Sequence, residues 1–368
     1  METWKEYRFN ELFNWCSGKP FLNEGSKYPV YGSNGIIGCS DISNFENRII
    51  LGRVGAYCGS VNYYDKSFYA TDNTLVTECD ESKITYKYAY YLLTQSKLNS
   101  FAGGAAQPLI TQSILKHLKC VIPPLHTQQK IASILSTYDN LIQNYKKQIE
   151  DLQTCASELY KEWFVRFRFP GYQTTQFENG IPVGWNIMRL NSVATLINGR
   201  AYLMPELLSE GKYRIVRVGN FSGKDEWFYS NMELEEDKYC EKGDLLYKWA
   251  CNFGPEIWNE EKVIYHYHIW KIKVNEEIMN KSFLFYYLKF NTPLWLGGTN
   301  GATMVHITKE SMEKKKILVP SAKVLDKFDF TVNEIIRRMD LLQQQINNLT
   351  QQRDLLLPRL MSGKLEVK

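Results

Sequence analysis

No two cysteines in this chain stand at C-x-x-C spacing. The eight present, Cys16, Cys39, Cys58, Cys79, Cys120, Cys155, Cys240 and Cys251, are far apart, which argues against both a zinc knuckle and a disulfide framework. Long apolar runs are missing too. No stretch approaches the ~18 residues a membrane-spanning helix needs, and Met1-Glu2-Thr3-Trp4-Lys5-Glu6 lacks the apolar core of a signal peptide, so a cytoplasmic location is expected. The motifs of chemistry are absent as well: no G-x-G-x-x-G, no Walker A loop, no H-E-x-x-H, no G-x-S-x-G elbow. Nor is there an Asn- or Asp-Pro-Pro-aromatic tetrapeptide of the kind that amino-methyltransferases use to hold a target amine. No catalytic residue, metal site or cofactor is therefore expected in this chain. A large excess of one charge is also missing: the net charge of +4 is too small to neutralise a long stretch of DNA unaided.

What is present is enough for two sizeable cores: 368 residues, 44% hydrophobic and 23% charged. Those residues repeat. Gly104-Ala105-Ala106-Gln107-Pro108-Leu109-Ile110-Thr111 resembles Gly301-Ala302-Thr303-Met304-Val305-His306-Ile307-Thr308, the threonines lying 197 positions apart, and the same shift carries Pro123 onto Pro320. Slightly smaller shifts relate Tyr90-Tyr91-Leu92 to Tyr286-Tyr287-Leu288 and Trp4-Lys5-Glu6-Tyr7-Arg8 to Trp185-Asn186-Ile187-Met188-Arg189. A repeat of this length dictates architecture before any local motif does.

After Pro123, apolar residues recur with spacings of four and three: Ile131, Leu135, Tyr138, Ile142, Tyr145, Ile149, Leu152, Ala156, Leu159. The shift of 197 gives Phe328, Val332, Ile335, Met339, Leu342, Ile346, Leu349, Arg353, Leu356, and only Arg353 breaks the apolar rule. Either stripe alone reads as a helix packed on its own domain. Two stripes in one phase favour helices that pair as an antiparallel coiled coil with pseudo-two-fold symmetry. Turn-forming residues mark 169–184 as a linker, and β-rich segments separated by Gly, Asn and Asp fill the remainder. The expected fold is α+β: globular unit 1–122, helix 123–168, linker 169–184, globular unit 185–320, helix 321–368. Roughly 28 heptad residues at ~1.5 Å each span about 42 Å, close to the ~34 to 36 Å of one DNA turn. Two unlike heads on such a ruler suit a two-part, asymmetric DNA sequence.

The chain resembles the specificity subunit of type I restriction-modification systems over essentially its whole length. The resemblance is carried by Ile122-Pro123-Pro124-Leu125-His126-Thr127-Gln128-Gln129-Lys130-Ile131-Ala132-Ser133-Ile134-Leu135, Phe167-Arg168-Phe169-Pro170-Gly171, Gly180-Ile181-Pro182-Val183-Gly184-Trp185 and Leu357-Pro358-Arg359-Leu360-Met361-Ser362-Gly363-Lys364-Leu365. It implies two target-recognition domains on double-stranded DNA and conserved spacer helices that dock two modification (methyltransferase) subunits. It also implies S-adenosylmethionine bound in those partners, and ATP with Mg in a partner restriction subunit. The second spacer departs from the P-x-x-x-Q-x-K-I-A form with Val319-Pro320-Ser321-Ala322-Lys323-Val324-Leu325-Asp326-Lys327-Phe328, which leaves open whether both spacers dock a partner equally.

Base reading needs polar groups offered to base edges. Candidates in the first unit are Arg53, Lys66, Gln107 and Thr111; in the second, Arg200, Arg217, Lys248, Trp249, Asn252, Thr303, His306 and Thr308. Each has a plain alternative, that a polar residue in a glycine turn satisfies backbone. His266 and His268 share a strand face, yet lack a third ligand and read as packed among Tyr265, Tyr267 and Trp270. The acidic run Glu233-Leu234-Glu235-Glu236-Asp237 reads as a solvated turn. The competing function is a coiled-coil scaffold that never touches bases.

Overall fold

The computed structural model describes residues 3–21, 24–103, 108–223, 226–297 and 307–367, which form two compact units, 1–147 with 342–368 and 148–341. In the first unit, strands β1 (Lys5–Arg8) and β8 (Lys119–Ile122) pair as a two-stranded ribbon. The main sheet comprises β2 (Phe13–Ser17), β3 (Tyr28–Gly32), β4 (Gly35–Ser40), β5 (Phe45–Gly52), β6 (Val61–Ala70) and β7 (Thr74–Cys79), in the order β2-β7-β5-β6-β3-β4. Short helix α1 (Phe9–Leu12), helix α2 (Tyr86–Gln95) and short helix α3 (Gln112–Lys116) accompany it. The Thr85 hydroxyl caps α2 by accepting from the Tyr88 N–H. The long helix α4 (Leu125–Tyr160) follows.

The second unit repeats this plan. The segment 169–184, expected as a linker, is a built element: strands β9 (Phe177–Glu178) and β10 (Ile181–Pro182) form a small hairpin around Asn179 and Gly180, both at positive φ, as a tight hairpin turn requires. Next come β11 (Asn186–Arg189), α5 (Leu190–Val193), β12 (Ala194–Asn198), β13 (Tyr213–Val216), β14 (Phe228–Ser230), β15 (Tyr239–Cys240), β16 (Leu245–Lys248), β17 (Gly254–Ile257), β18 (Val263–Tyr265) and β19 (Ile269–Val274). Helices α6 (Lys281–Gly297) and α7 (Lys309–Glu313), strand β20 (Lys316–Val319) and helix α8 (Ala322–Met361) complete the chain. Strand β11 pairs with β20 as β1 does with β8. The sheets run β12-β19-β16-β17 and β14-β13-β18-β15. This is the first unit's order with β5 broken into β15 and β16, and β6 into β17 and β18.

Each long helix contributes to both units, so the compact units cut across the expected spacer segments. In the first unit, Ile131 and Leu135 of α4 share a core with Leu356, Leu360 and Met361 from the end of α8, so the two segments run antiparallel. In the second, Ala156 and Tyr160 share a core with Phe328, Val332 and Ile335. Every position of both heptad stripes is buried or half-buried. At their ends the helices pack on globular cores as well as on each other, so the two readings of an apolar stripe hold together there.

The spacer motif has a structural account. Gln128, fully buried in α4, accepts from the Thr85 N–H at 3.0 Å and donates to the carbonyls of Lys83 at 2.7 Å and Pro123 at 2.9 Å. It thereby ties the starts of two helices and the end of β8 with every amide group satisfied. The repeat puts Leu325 at this position, buried in the second core, so the second spacer departs from the motif by replacing a polar tie with an apolar contact.

Candidate nucleic-acid interface

At one end of each main sheet, loops converge through the same set of backbone hydrogen bonds. In the first unit the Lys19 N–H donates to Ala70 at 3.0 Å, Asp72 to Lys19 at 3.1 Å, Thr71 to Tyr31 at 3.0 Å and Arg53 to Asn73 at 3.1 Å. In the second, Arg200 donates to Tyr265 at 3.1 Å, Tyr267 to Arg200 at 3.0 Å, His266 to Val216 at 3.0 Å and Trp249 to His268 at 3.2 Å. The frame therefore equates Lys19 with Arg200, Arg53 with Trp249, and Thr71-Asp72-Asn73 with His266-Tyr267-His268. The backbone is kept while the side chains are exchanged for others of unlike chemistry.

A glycine makes each frame possible. A Cβ on Gly18 would stand 2.1 Å from the Thr71 carbonyl oxygen, and one on Gly199 would stand 2.4 Å from that of His266. Both atoms belong to backbone, which cannot swing aside. Gly18→Ala and Gly199→Ala are each expected to cost about 2 kcal/mol or more, as overpacking does, and to lower the thermal midpoint of the chain by several degrees. Unchanged unfolding curves would show the loops to be loosely held.

Both cradles also leave polar atoms without partners. Buried atoms with no hydrogen bond among the described residues include Arg53 Nε and Thr71 Oγ1 in the first, and His266 Nδ1 and Tyr202 Oη in the second. Native interiors rarely tolerate such groups without a functional reason. Thr71 and His266 occupy equivalent positions, so the same place is left unsatisfied twice.

Of the second-unit candidates, Arg200, Arg217, Trp249 and Asn252 come from the converging loops and Lys248 from the last position of β16. Arg217 is exposed, lies over the Phe228 ring at 5.1 Å, and has no carboxylate at ion-pair distance among the described residues. Trp249 stacks on Trp270 with centroids 5.7 Å apart, meets His268 edge-on at 5.1 Å, and donates its indole N–H to the Tyr267 carbonyl at 2.9 Å. Asn252 donates to the Ser222 hydroxyl at 3.0 Å. The guanidinium of Arg200 is held by both oxygens of Glu206, at 2.7 and 3.1 Å. Lys248 serves the interior instead, its side chain 5% exposed, with Nζ 2.6 Å from Glu256 and over the Phe221 ring. That ammonium is spent inside the unit.

In the first unit Arg53 sits in the cradle, its carbonyl accepting from the Ile110 N–H at 2.9 Å. Lys66 is exposed in β6, four residues before the strand ends at Ala70, and so stands away from it. Thr111 and Thr308 cap α3 and α7, accepting from the N–H groups of Ile114 at 3.4 Å and Ser311 at 3.2 Å. Their similarity across the repeat thus has a local structural cause. Gln107, Thr303 and His306 lie outside the described residues.

The residues that sequence reasoning passed over are Lys19, Asp72 and Asn73 in one cradle, and Tyr202 with the His266-Tyr267-His268 turn in the other. One signal was available, since Gly18-Lys19 and Gly199-Arg200 both follow a strand and stand 181 positions apart. That is the same shift that relates Trp4 to Trp185.

Burial, helped by His268 and Arg217, pushes the His266 imidazole down to about 4. The fold therefore favours the neutral ring, and the unfolded chain binds the extra proton first. Stability is unaffected above the ordinary value near 6.5 and falls as pH drops from there toward 4. We expect a loss on the order of 2 kcal/mol across that window, read by denaturant unfolding at stepped pH. His266→Phe should flatten it, and an unaltered slope in that variant would assign the loss elsewhere.

The family model for the type I restriction modification DNA specificity domain matches residues 1–154 and 182–354. The chain is 27% identical over 316 residues to the type I restriction enzyme MjaIX specificity subunit of Methanocaldococcus jannaschii, covering 77% of this chain and 70% of that one. It is 28% identical over 348 residues to the putative MjaX specificity subunit of the same organism, covering 90% and 80%. Its fold is similar to that of the type I restriction-modification S subunit from M. genitalium, with a TM-score of 0.60 at 19% identity over 98% of this chain and 96% of that one.

Proposed function

Because the chain belongs to the family of type I restriction-modification DNA specificity proteins, we propose that it selects the DNA target on which partner subunits act, each globular unit reading one half of an asymmetric, two-part sequence. The observation that carries this reading is the pair of cradles: one backbone frame, built twice, presenting Lys19, Arg53 and Asn73 in one unit and Arg200, Trp249 and the His266-Tyr267-His268 turn in the other. A scaffold has no use for a duplicated frame with diversified side chains, whereas a reader of two unlike half-sites requires one. Residues 1–122 and 185–320 are then the recognition domains, and α4 with α8 sets the distance between the half-sites.

In this reading the chain performs no chemistry. Two modification subunits dock on the spacer helices and bind S-adenosylmethionine, and restriction subunits, where they join, bring ATP and Mg. Replacement of the buried Gln128 tie by Leu325 gives the two docking regions different surroundings, so the modification subunits need not bind equally.

Mapping methylated adenines across the host genome, with and without this chain, tests the proposal. A split motif whose methylation vanishes on deletion is the expected result. An unchanged methylation map, with uniform affinity of the assembled complex for scrambled DNA, would leave the scaffold reading in its place.

A further inference from the structure

Between Arg200 and Leu208 the second unit makes a braced turn. The Glu206 carboxylate accepts from the Leu203 N–H at 2.8 Å as well as from both arms of Arg200, and Pro205 lies in the turn Met204–Glu206. At the far end Leu208 exchanges two backbone hydrogen bonds with Tyr229, at 3.0 and 2.9 Å. Charge-assisted bonds at the base and a fixed φ at Pro205 hold the tip in one conformation. That tip is apolar: Leu203 is 71% and Met204 78% exposed. Single exposed apolar residues are ordinary, but an adjacent pair held rigidly in water marks a contact surface.

Its surroundings are aromatic, with one unpaired cation nearby. The Arg200 guanidinium lies 5.0 Å over the Tyr202 ring, Tyr202 stacks on His266 at 6.4 Å, Tyr267 is half-exposed beyond, and Arg217 stands at the same cradle with no ion-pair partner among the described residues. An apolar tip beside aromatic rings and one unpaired guanidinium, that of Arg217, fits a partner that is anionic outside and apolar within. Duplex DNA is that partner, its stacked bases lying behind a double row of phosphates.

Resting on the DNA-reading function proposed above, we infer that Leu203 and Met204 form a wedge that enters one base step in or beside the half-site read by the second unit, unstacking and kinking the duplex there. In the first unit the corresponding loop begins Lys19-Pro20-Phe21. There Phe21 packs 5.7 Å from Tyr69, whose hydroxyl donates to the Pro20 carbonyl at 2.9 Å. That ring is held down on its own unit.

The test uses the full chain assembled with its modification subunits and a duplex bearing the mapped target. 2-Aminopurine is placed in turn at each position of the second half-site and its flanks, the methylated adenine excepted. Fluorescence should rise at one step with the wild-type chain and stay low with Leu203→Ala/Met204→Ala, whose thermal unfolding should be unchanged because both side chains are exposed. Affinity should fall on the order of tenfold and recover on a duplex mismatched at that step, which is already unstacked. Specific binding with no rise in the wild type, or an equal rise in the variant, overturns the wedge while leaving the DNA-reading function intact. Loss of modification-subunit assembly by the variant without DNA would assign the tip to a protein partner and equally overturn it. Absence of any sequence-specific binding by the wild type would strike the reading function itself.

Discussion

Arg53→Ala is expected to relax recognition at one half of the split target while the other half is read as before, and Trp249→Ala to do the reverse. The two residues occupy one position of a shared frame, the Arg53 N–H donating to the Asn73 carbonyl and the Trp249 N–H to that of His268, so in the proposed reading they serve corresponding places on the two half-sites. A good base contact is worth about 1–3 kcal/mol of discrimination, and the loss should be roughly tenfold to a hundredfold at the affected half. Competition binding at fixed salt, against duplex pools randomised in one half at a time, measures it.

The chemistry differs between the two. Arg53 has no carboxylate at ion-pair distance among the described residues, so in the proposed reading its guanidinium donates to a base edge. Arg53→Lys would keep charge but lose the planar fork, so it should stay relaxed if bases are read and recover if only a phosphate is touched. Trp249 spends its N–H on Tyr267, leaving its ring for apolar contact, such as with a thymine methyl. Trp249→Phe should then retain much of the discrimination. It also controls for packing lost against Trp270. A loss spread evenly over all sequences in both alanine variants would remove these residues from base reading.

How much of this was legible from residues alone depended on what each feature demands. A heptad seam asks only for apolar identity at fixed spacing, so Ile131, Leu135, Phe328 and Val332 declared themselves, and the repeat followed from position. The cradles are built from backbone hydrogen bonds, which constrain side chains hardly at all. Thr71 and His266 share a place in space without sharing chemistry, and nothing in their sequence context equates them. Where the frame does constrain identity, at Gly18 and Gly199, the residue is kept. A basic residue at the end of a strand looks the same in sequence whether it faces DNA or, as Lys248 does, a carboxylate of its own unit, Glu256. The similarity of Thr111 and Thr308 has a cause of its own, since both cap short helices.

Arg353, the one break in the second stripe, leads to the other large effect. In the first unit its guanidinium donates to Asp139 at 2.7 Å, and the Tyr91 hydroxyl donates to the other oxygen of that carboxylate at 2.5 Å. Both charged side chains are about three-quarters shielded from water, at 27% and 26% exposed. The repeat places Ile336 and Ala156 at the equivalent positions of the second unit, where both join the apolar core. The paired helices thus carry one polar contact and one apolar copy of it. Two stripes alike in phase could pair in alternative registers, or α4 with another α4. A single polar pair distinguishes these, because any other arrangement sets a charge against apolar side chains.

Arg353→Ala and Asp139→Ala are each expected to destabilise the first unit by about 1–2 kcal/mol, since each removes a shielded charge-assisted bond while Tyr91 still serves Asp139 and Asp354 still serves Arg353. The double variant should cost less than the sum of the two. Asp139→Ile/Arg353→Ala writes the second unit's apolar contact into the first, and with Tyr91→Phe removing the hydroxyl that would lose its acceptor the triple variant should recover most of the stability, with looser register as its defect. Denaturant unfolding measures the stability. Double-labelled distance measurements between the first turns of α4 and the last turns of α8 measure the register. Additive losses in the double variant, or a triple variant as rigid as the wild type, would show that the seam needs no polar pair to choose its partner.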